Sequence, residues 1–150
     1  MGYCADTLEV DFTIPAANVA AALAEINASD ELHGFSTRTY TSLTEAVEDI
    51  TCFEDCEESD EGFSLGYHTD KYRSDTETVL RILAKFANDN SYVRFCGEDY
   101  SLWGFRVKSY TLSQGEMFEE TGEFVWHCIG GGLPAMRRND APTHRKGEER

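Results

Sequence analysis

The sequence predicts an α+β domain, with an antiparallel sheet made from an N-terminal strand plus a C-terminal meander and helices packed on one face. Three observations carry that expectation. Apolar residues recur at helical spacing in the first part of the chain, and from Ser91 to Cys128 the period switches to two. The 150 residues are 41% hydrophobic, with nine Phe, seven Tyr and two Trp, enough to build a core despite a formal net charge of −15.

Thr7–Ile14 alternates, with Leu8, Val10, Phe12 and Ile14 on one side and charged or polar residues between them, which predicts a half-buried strand. Pro15 follows, where a helix can begin without losing a hydrogen bond. The Ala-rich run Ala16–Ala28 places Val19, Leu23 and Ile26 at helical spacing. Phe35–Tyr40 is a short candidate strand. Ser42 with Glu45 forms a capping box that opens a helix through Leu43, Ala46, Val47 and Ile50. The segment 54–61 reads as a solvated acidic loop, and Gly62–His68 as a strand with Phe63, Leu65 and Tyr67 on one face.

Ser74 with Glu77 forms a second capping box, opening a helix whose apolar face is Val79, Leu80, Ile82, Leu83 and Phe86. Four strands follow: Tyr92–Cys96, Leu102–Lys108, Glu116–Glu120 and Glu123–His127. The turns expected between them are Gly97-Glu98-Asp99 and Ser113-Gln114-Gly115. Gly130-Gly131-Gly132 and Pro134 break this pattern. The expected organisation is therefore one acidic domain over residues 1–129 and a disordered basic tail over 130–150. From Met136 that tail carries Arg137, Arg138, Arg145, Lys146 and Arg150 against Asp140, Glu148 and Glu149.

Between Arg38 and Lys71 there is no Lys or Arg but ten acids: Glu45, Glu48, Asp49, Glu54, Asp55, Glu57, Glu58, Asp60, Glu61 and Asp70. Such a density of negative charge disfavours nucleic acid and anionic membranes as direct ligands and favours a basic partner. No run reaches the roughly 18–20 apolar residues that cross a bilayer. The first residues lack the basic and apolar regions of a signal peptide, and Asp6 stands where myristoylation favours Ser or Thr. A cytoplasmic protein is the expectation. The five cysteines, Cys4, Cys52, Cys56, Cys96 and Cys128, are then expected to be reduced thiols.

The opening Met1-Gly2-Tyr3-Cys4-Ala5-Asp6, the run Ser91–Asp99, Leu102-Trp103-Gly104-Phe105 and Phe124-Val125-Trp126 together resemble a group of small acidic proteins of actinobacteria and their phages. The resemblance implies a small α+β fold and a phage or mobile-element setting. It brings no activity with it, and the acidic run and the basic tail lie outside it.

Several chemistries compete for these residues. Carboxylates spaced a few ångströms apart can stand in for phosphates, and Glu45, Glu48, Asp49, Glu54, Asp55, Glu57, Glu58, Asp60 and Glu61 form the candidate partner-binding stripe. Phe53 and Phe63 are the apolar neighbours expected to add specificity. Against this stands an ordinary solvated acidic loop. Calcium is a weaker reading, because Glu57–Gly62 lacks the alternating ligands and distal Glu of an EF-hand. Cys52 and Cys56 could form half of a zinc site with His68, His127 or Cys128, but a proper second pair is missing. A thiol enzyme would pair Cys96 or Cys128 with His68 or His127. No Gly-x-Ser-x-Gly, His-Glu-x-x-His or phosphate-binding loop occurs.

Trp103, Phe105, Tyr110, Phe124 and Trp126, near Arg94, Arg106 and Lys108, could form a recognition patch, though core packing is the simpler reading. The function expected is a non-enzymatic acidic protein that needs no cofactor. It would occupy the basic site of a nucleic-acid-binding or defence protein, such as a CRISPR effector or a nuclease. The alternatives are an immunity or antitoxin-type protein and a small metal-binding or thiol enzyme.

Overall fold

A computed structural model describes residues 2–33, 39–118 and 123–128. In chain order its elements are β1 (Ala5–Asp11), β2 (Thr13–Pro15), α1 (Ala16–Ala28), α2 (Asp30–His33), α3 (Leu43–Ile50), β3 (Phe53–Glu54), β4 (Glu57–Ser59), β5 (Gly62–Ser64), β6 (Tyr67–His68), α4 (Ser74–Ala84), β7 (Tyr92–Gly97), β8 (Leu102–Lys108), β9 (Thr111–Phe118) and β10 (Glu123–Cys128). The main sheet has five antiparallel strands in the order β1-β7-β8-β9-β10. A three-stranded sheet, β2-β5-β4, and the β3-β6 pair complete the strands. The fold is α+β, as the change of period predicts.

Alternation decides which face of the main sheet is covered. Val93 and Phe95 of β7 and Trp103, Phe105 and Val107 of β8 are buried, while Tyr92, Arg94 and Arg106 between them are half-exposed. Helix α4 buries Val79, Leu80, Ile82 and Leu83 and packs against β9, α1, α2 and α3. Phe95, Trp103 and Phe105 thus face the core, and Arg94 and Arg106 lie on the opposite side of the sheet. Only Tyr110, in the β8–β9 turn, is an exposed aromatic of the expected patch whose side chain is described; those of Phe124 and Trp126 lie outside the described residues.

Several boundaries differ from the sequence expectation. The first strand is two strands: β1 ends at Asp11 and β2 begins at Thr13 in another sheet. A bulge between Thr7 and Glu9 turns Leu8 outward, leaving it 58% exposed. Gly62–His68 also changes sheet, at Leu65 and Gly66. That break reverses the alternation, so Phe63 and Leu65 are buried but Tyr67 is exposed and His68 is wholly buried.

The second capping box does not form. Arg73 occupies the N-cap of α4, Ser74 is already helical, and Glu77 accepts a hydrogen bond from the Tyr72 hydroxyl at 3.1 Å. Ser113–Gly115 is not a turn but the middle of β9, with Gly115 opposite Gly104. The chain reverses earlier, at Ser109 and Tyr110, both with positive φ (52° and 64°).

Most of the expected Phe35–Tyr40 strand lies outside the described residues. Tyr40 itself is in neither helix nor strand, and its N–H and C=O bond the Asn27 side chain at 2.9 and 3.1 Å. The segment 130–150, expected to be a basic tail, also lies outside the described residues. Among the described residues no helix is long and apolar enough to cross a membrane.

Candidate protein-binding surface

The acidic segment 54–61 is structured rather than a loop. β4 pairs with β5 through Glu57↔Ser64, Glu58↔Phe63 and Ser59↔Gly62, leaving Asp60 and Glu61 as the two-residue turn of a hairpin. Gly62 closes the turn at φ +134°, and a Cβ there would stand 2.0 Å from the Ile14 carbonyl oxygen, so only glycine fits. β5 in turn pairs with β2, and the Ala16 N–H donates to the Glu61 carbonyl at 3.2 Å, which joins the hairpin to the start of α1.

Carboxylates from the same acidic stretch hold this hairpin against α3. Ser42 caps the helix, its Oγ accepting from the Glu45 N–H at 3.0 Å, and Glu45 Oε1 accepts from the Thr41 N–H at 3.1 Å. Glu58 reaches across from β4, its Oε1 accepting from the Thr44 N–H at 3.1 Å. It meets the positive end of the α3 dipole there. Glu48 reaches the other way, its Oε2 accepting from the Cys56 N–H at 2.9 Å. Asp49 accepts from the Tyr40 hydroxyl at 2.6 Å.

The nine predicted site residues therefore fall into two groups. Glu48 and Glu58 accept from backbone N–H groups and tie the hairpin segment to α3, while Glu45 and Asp49 accept from Thr41 and Tyr40 beside the same helix. Glu54, Asp55, Glu57, Asp60 and Glu61 are exposed, and among the described residues no Lys or Arg forms an ion pair with any of them. Asp55 adopts a left-handed conformation (φ 61°), and its charge, first of several causes, raises the Tyr67 phenol above its ordinary pKa. Phe53 and Phe63 do not contribute to this surface. Each is only 1% exposed, because both pack inward under the helices.

The surface that sequence reasoning missed lies on α1. Ala16, Val19, Ala20 and Leu23 form one side of an open groove of about 380 Å³, and Ser42, Leu43, Glu58 and Ser59 form the other. Its only signal in the sequence was negative: the run Ala16–Ala28 contains a single charged residue, Glu25.

The cysteine and histidine candidates are dispersed. Cys56 is buried, which pushes its thiol up to about 12, and its Sγ receives the Gly66 N–H at 3.3 Å. Cys52 Sγ instead lies 3.7 Å from an Arg73 guanidinium nitrogen. His68 is sealed among Phe53, Tyr72 and Phe95, with Nδ1 2.8 Å from the Ala5 carbonyl oxygen. Burial, the largest influence, lowers its pKa. Phe95 packs on that imidazole, so its strand neighbour Cys96 lies on the other face of the sheet and cannot reach it. The side chains of His127 and Cys128 lie outside the described residues. Among the described residues no three His, Cys, Asp or Glu side chains stand close enough to share a metal ion.

No known family model matches the chain, and no curated protein or solved structure matches it significantly.

Proposed function

We propose that this chain is a non-enzymatic binding protein whose acidic hairpin occupies a basic, nucleic-acid-binding site on a partner protein. The observation that supports this reading is the way the carboxylates are held. Glu57, Asp60 and Glu61 are exposed on the hairpin and Glu54 and Asp55 just before it, while Glu48 and Glu58 fasten the segment to α3. A fixed anionic array loses less conformational entropy on binding than a disordered acidic tail. Glu57 on β4 and the turn acids Asp60 and Glu61 concentrate exposed negative charge on one short hairpin, as a phosphate backbone does along a duplex. Long-range attraction to a basic cleft speeds encounter and selects against anionic partners. The resemblance to phage proteins favours a host defence or nucleic-acid-handling protein as the target.

The test is capture from host lysate on immobilised full chain, with added duplex DNA as competitor. A nuclease or other basic protein retained at low salt, and displaced by DNA, is the expected result. The combined variant Glu57→Gln, Asp60→Asn and Glu61→Gln should lose it. Retention that is indifferent to DNA, to salt and to these substitutions overturns the reading.

A further inference from the structure

With Phe53 and Phe63 buried, the apolar contact that a specific complex needs must come from elsewhere, and α1 offers it. A surface helix normally turns charged residues toward solvent. Here Ala16, Ala17, Ala20, Ala21 and Ala24 are exposed, only Ala22 and Ile26 are fully buried, and the single charge, Glu25, is paired with Lys85. The groove of about 380 Å³ beside Glu58 runs along this apolar side. The α1 side of it repeats every four residues, Ala16 with Ala20 and Val19 with Leu23, which makes ridges that can seat between those of another helix. The small alanines allow an interaxial approach at the close end of the usual range of about 8–10 Å.

Charge identifies the occupant. Glu58 lines the groove, Asp60 and Glu61 form the hairpin turn beside it, and Glu45 binds Thr41 at the other wall; among the described residues no Lys or Arg lines it. A second copy of this chain, with its net charge of −15, would bring like charges together. Strand addition at the edge strand β4 is poorly served, since that strand is three residues long and two of them are glutamates. We propose that the groove between α1 and the acidic hairpin seats a basic amphipathic α-helix of the partner protein. This rests on the acidic-binding reading above and adds the shape of what is bound.

The probe is a synthetic peptide of Leu and Lys patterned with Leu at i, i+3, i+4 and i+7. It is compared with a scrambled peptide of the same composition and charge that has no apolar face. Both are titrated into the isotope-labelled full chain, and binding is followed by amide chemical shifts. The patterned peptide should bind about tenfold or more tighter than the scrambled one. It should shift the amides of Ala16, Val19, Ala20, Leu23 and Leu43. Ala20→Gln, which fills the groove on a helix-compatible residue without changing charge, should remove that advantage. Ala24→Gln, on the same helix but outside the groove, should not.

Equal binding of the two peptides, or no effect of Ala20→Gln, overturns the groove while leaving the charge-based reading standing. Shifts confined to Glu57–Ser59 point to strand addition and overturn it too. No binding of either peptide at low salt overturns both readings.

Discussion

The aromatic core behind the main sheet and the acidic hairpin are held by different balances of force. Phe95 lies at the centre of the first: its ring centroid is 5.3 Å from those of Trp103 and Tyr72, 5.6 Å from His68, 6.1 Å from Phe105 and 6.2 Å from Phe53. Five rings around one give that region its stability by burial and dispersion. In the hairpin, by contrast, Phe63 of β5 is the one large side chain buried, all three residues of β4 are exposed, and Glu58 and Glu48 fasten it through hydrogen bonds to backbone N–H groups. The molecule thus places cohesion in one region and charge in the other, so charge can be changed without touching the core.

The largest expected effect tests the cohesive side. Phe95→Ala removes a wholly buried ring and should lower unfolding free energy by about 3–5 kcal/mol, read by chemical denaturation. A loss no larger than that of the hairpin variants below would break the comparison.

A pH profile sharpens it next. Burial holds the His68 pKa below its ordinary 6.5. The unfolded chain therefore takes up a proton as pH falls below about 6.5, while the folded chain resists until the lower folded value is reached. The stability from the neutral imidazole is fully present above about 6.5 and is lost through the window beneath it, by at most about 1.4 kcal/mol per pH unit. Unfolding measured between about pH 8 and pH 5 should show this fall in the native protein, and His68→Gln should show a shallower slope whatever its absolute stability. Equal slopes would mean that another group carries the acid sensitivity.

The two regions were not equally legible in the sequence. The core was readable because periodicity reports burial: α4's apolar face and the alternation in β7 and β8 are the residues that pack. Where reading failed, tertiary contacts had overridden local signals. Leu8 alternates with Val10, but the bulge turns it out. Ser74 and Glu77 have capping-box spacing, but Tyr72 takes the Glu77 carboxylate. The β8–β9 turn uses Ser109 and Tyr110 at positive φ, where no Asn-Gly signal announces it, so the glycine at 115 attracted the turn instead.

In the hairpin the composition was plain but the division of labour was not. Nothing in the spacing of Glu48 and Glu58 distinguishes them from Glu54 and Glu57. Only the fold brings a helix N-terminus to Glu58 and the Cys56 N–H to Glu48.

A smaller effect tests how the hairpin is fastened. Ser42→Ala removes the cap of α3, the helix whose first turn also binds Glu58, and should cost about 1 kcal/mol. Hydrogen exchange at the amides of residues 57–59 should quicken with it, since the α3 terminus that holds Glu58 frays. Unchanged exchange there would show that pairing with β5 alone holds the hairpin.

The smallest effect on stability comes from the residues with the largest proposed effect on binding. Glu57→Gln, Asp60→Asn and Glu61→Gln together remove three exposed charges from a chain of net charge −15 and disturb neither the Glu58 nor the Glu48 contact. Substitutions of this kind fall within about 0.5 kcal/mol. The sign should be stabilising at low ionic strength, because like charges on one hairpin repel. The difference should fade in salt as the Debye length shrinks to about 8 Å at physiological strength. Denaturation at two salt concentrations reads both size and sign. A loss exceeding that of Ser42→Ala would place these acids among the groups that hold the fold. The separation of charge from cohesion would then fail at the residues on which it most depends.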